Sequence, residues 1–145
     1  LEVGFYHLTR SRVEQALPAL LLRTLDAGAR ACVMCPDAAL LRSLDLALWE
    51  RPEWLPHGTV ADGDADLQPI WLAQDDAAPN GATFLFLVGG AQSMRLSAFA
   101  RAFDLFDGGR AEAVQAARER WAQARAAGHA LTYWQQTERG WQKQG

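Results

Sequence analysis

Four groupings in this chain have residue types and spacings that chemistry uses. Cys32-Val33-Met34-Cys35 has the spacing of a redox pair or of half a zinc site. A redox pair opens a helix, where the dipole lowers a thiol pKa, whereas these thiols fall in or at the end of an apolar run that reads as a strand. No second Cys or His pair completes a tetrahedral set, so buried, small apolar side chains are the expected role. Asp62-Gly63-Asp64-Ala65-Asp66 begins like a calcium loop, but Gly63 is misplaced and Ala73 stands where the bidentate Glu is required, which predicts a solvated loop. Gly89-Gly90 follows a strand-like run, yet the chain has neither GxGxxG nor GxxxxGK[ST], so the backbone cradle for phosphate is missing. His7, His57 and His129 are scattered and accompany no serine or cysteine in a nucleophile setting. The expectation is no catalytic constellation, no cofactor and no metal. The competing class is a small nucleotide-dependent or redox enzyme using Cys32, Cys35 or Gly89-Gly90.

A binding reading centres on residues 111–127. Val114, Ala117, Trp121, Ala124 and Gly128 follow at three- or four-residue steps, a stripe that a helix lays against a sheet. At about 100° per residue, Arg118 and Arg125 fall roughly 40° to 60° to one side of Trp121, so two guanidinium groups flank one indole. Such an aromatic notch with a cationic rim suits an acidic peptide ending in an apolar residue. The same pattern also fits a core Trp121 with arginines snorkelling over it.

The elements that position these residues alternate. Val3 to Leu8 reads as a buried strand, and Ser11-Arg12-Val13-Glu14 has capping-box spacing before a helix that Gly28 ends. Pro18 should kink that helix or mark its real first turn. Ala31 to Cys35 is a second strand, and Asp37 is placed to cap a helix running through Leu40, Leu41, Leu44, Leu48 and Trp49. Residues 51–66 form a loop with a short strand at Thr59-Val60. Pro69 to Leu72, Thr83 to Val88, Ala102 to Phe106 and Ala130 to Gln135 are further strands, with Ser97 to Ala100 open to a helical turn. This predicts a three-layer α/β/α fold with a mostly parallel sheet, helices on both faces and right-handed crossovers, Rossmann-like without a phosphate loop. Residues 1–136 form one α/β domain, and 137–145 a loosely held polar tail unless Trp141 docks.

The 145 residues are half apolar and about one fifth charged, enough to bury a core. A net charge of −3 argues against a duplex-DNA binder with a broad basic face. Charge is uneven: residues 1–106 carry 8 basic and 13 acidic side chains, while residues 107–145 carry 6 and 4. Trp134 and Trp141 lack the continuous basic track of a single-strand binder, so any contact with DNA is expected to be indirect. No apolar run approaches the roughly 18 to 20 residues of a membrane span and no signal peptide is evident, so a cytoplasmic protein without membrane partners is expected.

Several segments in order resemble the chi subunit family of bacterial DNA polymerase III. They are Phe5-Tyr6-His7-Leu8, Leu46-Ala47-Leu48-Trp49-Glu50-Arg51-Pro52, Trp54-Leu55-Pro56-His57, Pro69-Ile70-Trp71-Leu72, and Ala117-Arg118-Glu119-Arg120-Trp121 leading to Ala127-Gly128. The resemblance implies a non-enzymatic adaptor of the clamp-loader complex. One surface would bind the acidic C-terminal tail of single-stranded-DNA-binding protein, and another the psi subunit or a helicase partner. By position it assigns Arg118 to the tail, with Trp121 in place of a tyrosine, and Trp54 with Leu55 to the psi or helicase surface. The family pattern has lysines where this chain has Val114 and Ala122; Arg125, or Arg120 or Arg110, would compensate.

Overall fold

The computed structural model describes residues 1–144. Eight strands make one sheet: β1 (Glu2–Leu8), β2 (Ala31–Met34), β3 (His57–Thr59), β4 (Ile70–Ala73), β5 (Phe84–Leu87), β6 (Arg101–Asp107), β7 (Ala130–Thr137) and β8 (Gly140–Gln144). Their order is β3-β4-β2-β5-β6-β1-β7-β8, and every pairing is parallel except β7 with β8. Helices α1 (Val13–Asp26) and α2 (Ala38–Glu50) pack together with one apolar cluster, and α3 (Ala111–Ala126) with the other. The expected three-layer α/β/α architecture is therefore present. The α3 layer is completed by irregular chain, since Ala91, Leu96 and Phe99 of the β5–β6 connection join its apolar cluster.

The period of two along each strand assigns side chains to layers. In β1, Val3 and Phe5 join the α3-side cluster while Tyr6 and Leu8 join the α1/α2 side. In β6, Phe103 and Leu105 face α1/α2, and Ala102 and Phe106 face α3. Cys32 and Cys35, three apart, fall into opposite clusters, so they cannot pair. Burial pushes the Cys32 thiol up to about 12 and the Cys35 thiol up to about 11.

Several local expectations are corrected. Ser11 does not cap α1: its hydroxyl accepts from Gln136 Nε2 at 2.6 Å, and Gln136 Oε1 accepts from the Arg10 and Ser11 N–H groups. The helix starts at Val13, with Gln15 Oε1 accepting from Arg12 N–H at 3.2 Å. Pro18 does not mark the first turn of α1, which begins at Val13, and lies buried within the helix. Asp37 does cap α2, accepting from the N–H groups of Ala39 and Leu40. The short strand of the 51–66 loop lies at His57–Thr59, and both a 3-10 turn (Leu96–Ala98) and β6 are present where the sequence left a choice. The segment after Thr137, expected to be loose, turns at Gly140 with φ +116° and pairs with β7. Trp141 supplies the reason, docking edge-on to Tyr6 at 5.0 Å, while Trp134 stacks on the same ring at 5.8 Å.

Candidate functional site

The face of α3 turned toward the sheet has small residues and one cation at its centre. Ala117, Arg120 and Ala124 are buried, whereas Val114 and Trp121 are only partly buried on one flank. Two alanines allow close approach but interlock little. Arg120 supplies the specific contact: its Nε and a terminal nitrogen donate to the two Asp104 oxygens at 2.6 and 3.0 Å, with Arg120 8 % and Asp104 2 % exposed. Burial pushes the Asp104 carboxyl up, and Arg120 opposes that shift. Arg120 is thus committed to the interior and does not stand in for a missing lysine. Arg110 is also engaged, donating to Glu112 Oε1 at 3.0 and 2.8 Å.

Offset by this geometry, Trp121 forms one wall of a cleft of about 260 Å³. Phe5 and His7 of β1, Phe106 of β6 and Tyr133 of β7 line the sheet side, and Val114, Ala117 and Arg118 complete the α3 side. The indole packs edge-on to Phe5 at 5.2 Å and to Tyr133 at 6.2 Å. At the cleft's polar end, His7 Nδ1 hydrogen-bonds the Tyr133 hydroxyl, and the imidazole stacks on Phe106 at 4.9 Å. Gly108 makes room for that ring: a Cβ there would lie 2.2 Å from it and 2.6 Å from the Leu8 carbonyl oxygen. Burial holds the His7 pKa below its usual value, the Gly108 backbone opposes this through a hydrogen bond, and the Arg118 charge adds to it.

The structure therefore brings Arg118 and Trp121 together at one cleft. Arg118 is exposed and has no ion-pair partner among the described residues, and the same holds for Arg125. Arg125 lies one turn beyond Trp121 and does not line the cleft. His7 and Tyr133 are the polar members that sequence reasoning missed. Their signal was a polar or amphipathic residue at the sheet-face parity of Phe5 in β1 and of Leu131 in β7.

The second predicted surface divides. Trp54 is 75 % exposed in the loop between α2 and edge strand β3, but Leu55 is 3 % exposed and belongs to the core, so it presents nothing to a partner. Alternation along the extended chain sends the two neighbours opposite ways. Leu46 and Trp49, one turn apart on α2, are also exposed, while Leu44 and Leu48 of the same helix are buried. Trp49 packs on His57 with ring centroids 4.4 Å apart, and His57 Nε2 donates to Asp45 Oδ1 at 2.8 Å.

A larger cleft of about 480 Å³ opens between the starts of α1 and α3 and includes Gly89 and Gly90. Its two rim arginines have carboxylates of their own chain beside them, Arg12 with Glu14 at 3.6 Å and Arg110 with Glu112 at 2.8 Å. Asp62 accepts from the Thr59 N–H and hydroxyl, and no group of three or more His, Cys, Asp or Glu placed to hold a metal occurs among the described residues. No described helix is long and apolar enough to cross a membrane. Among known proteins, the family model described as DNA polymerase III chi subunit, HolC, matches residues 1–132. No curated protein matches the chain.

Proposed function

Because the chain belongs to the DNA polymerase III chi-subunit family, we propose that it is a non-catalytic, cytoplasmic adaptor of the clamp-loader complex that holds the acidic C-terminal tail of single-stranded-DNA-binding protein in the α3 cleft. The observation that carries this reading is an apolar hollow walled by Trp121, Phe5 and Phe106, with the uncompensated Arg118 at its rim. An apolar terminal side chain fills the hollow, and the tail's carboxylates are drawn to Arg118 and to Arg125 beyond it. Exposed charge pairs contribute at most about 1 kcal/mol each, so the aromatic contact supplies most of the residence time and the arginines most of the encounter rate. DNA is reached only through the tail. A psi-type or helicase partner docks on the exposed Trp54, with Leu46 and Trp49 of α2 as neighbouring apolar surface.

Fluorescence titration of a labelled tail peptide at two salt concentrations tests the cleft. Arg118→Glu should weaken binding by about 5- to 30-fold at low salt, with a smaller ratio at high salt. A peptide lacking its last residue should bind weakly to both proteins. Unchanged affinity in both comparisons refutes the site. For the second surface, affinity capture with Trp54→Ala should lose a clamp-loader or helicase component that the parent chain retains, and identical captures remove Trp54 from the reading.

A further inference from the structure

The polar end of the α3 cleft carries no anion-forming carboxylate among its described lining residues, yet it gathers an imidazole, a phenol and a guanidinium. His7 receives Tyr133 from β7, Phe106 from β6, the Gly108 backbone from the turn after β6, and Arg118 from α3. Tyr133 and Arg118 are therefore the titratable or charged side chains that face it. Gly108 admits the ring at a distance no side chain would allow, so the imidazole is built into the sheet rather than lying loose on it. In the neutral tautomer with the proton on Nε2, the Tyr133 hydroxyl is used up as donor to Nδ1, and Arg118 is the free cation among the cleft's described lining residues.

We propose that His7 and Tyr133 form a proton-coupled receptor for the free terminal carboxylate of the bound chain end, with His7 taking up one proton as the carboxylate docks. This rests on the tail-binding reading above. The proton comes from solvent and goes to Nδ1, which then donates to the Tyr133 oxygen. The phenolic O–H keeps its own proton and turns to donate to the carboxylate. No covalent bond between heavy atoms forms or breaks. Two effects drive the uptake: the carboxylate attracts the imidazolium, and it neutralises the Arg118 charge that had disfavoured it. His7 thus supplies, conditionally, a cation on a cleft whose family lysine positions hold Val114 and Ala122.

Calorimetric titration of the full chain with an acidic peptide ending in phenylalanine, at pH 7.5, 6.5 and 5.5, tests the proposal. The peptide's side-chain carboxylates stay ionised across this range. Affinity should rise by about tenfold as pH falls, with uptake of up to one proton read from the buffer dependence of the heat. His7→Gln and a C-terminally amidated peptide should each flatten the pH dependence, and Tyr133→Phe should lose affinity mainly at pH 5.5. In the unaltered protein, the His7 ring resonances should titrate at higher pH when peptide is bound, a readout that needs no variant. Binding that depends on Arg118 but shows the same pH profile in His7→Gln, or no shift of the His7 titration, overturns this proposal alone. Absence of peptide binding at every pH overturns the tail-binding reading and this proposal together.

Discussion

Replacing Arg120 with methionine removes the one strong directional contact between α3 and the sheet among the described residues. Arg120 engages both oxygens of Asp104 at 2.6 and 3.0 Å in a site from which water is almost excluded. The variant leaves a buried carboxylate without its counter-charge, which costs about 3–5 kcal/mol. Against a total stability on the order of 5–15 kcal/mol, the loss lowers the melting temperature by roughly 6–20 °C. Joining Arg120→Met with Asp104→Leu removes both charges and should return stability to within about 2 kcal/mol of the parent, since an apolar pair of similar volume avoids desolvation. Urea unfolding of the four proteins in this cycle gives the coupling energy. Tail affinity should nevertheless stay low in the double variant. With only Ala117 and Ala124 left at the centre of the contact, the helix loses the bond that fixes its rotation and with it the placement of Trp121 and Arg118. Two outcomes refute this account: single variants that each cost under about 1 kcal/mol, or a double variant with parental tail affinity.

Three further outcomes follow from contacts described above. Gly108→Ala drives a methyl group into the His7 ring and the Leu8 carbonyl oxygen and should destabilise the fold by about 1–3 kcal/mol, measured by urea denaturation. Trp141→Ala frees β8 from Tyr6 and should cost about 1.5–3 kcal/mol, with faster amide exchange confined first to β8 and the end of β7. The thiols of Cys32 and Cys35, pushed up to about 12 and about 11, should react with a disulfide reagent at pH 8 at under about 1 % of the rate of a free thiol until the protein unfolds.

The layered fold was legible because its strands are short apolar runs, Asp37 caps α2, and Gly28 and Gly128 end α1 and α3. β8 was not legible, because Gly140-Trp141-Gln142-Lys143-Gln144 has no alternation; its pairing depends on a single indole finding a ring far away in sequence. Arg118 and Trp121 were found from helical spacing, since that depends only on the backbone period. Arg120 was misjudged because an arginine reads as surface until its partner is seen. Its partner was visible as the lone acid within Phe103-Asp104-Leu105-Phe106, and Ala117, Arg120 and Ala124 form a stripe of their own. Leu55 was misplaced because similarity to a segment does not say which of two adjacent side chains faces out. The His7–Tyr133 contact joins residues 126 positions apart and follows from strand order, which local pattern does not specify.

Strand order also fixes the distance between the two proposed partners. Trp54 stands beside β3 at one margin, and the α3 cleft lies over β1, five strand intervals away, or about 24 Å at ordinary inter-strand spacing. Ligands so far apart on a stiff slab do not collide, so tandem occupancy is sterically open. Capture at one berth then raises the effective concentration of whatever is tethered near the other, and avidity arises without any shape change passing through the protein.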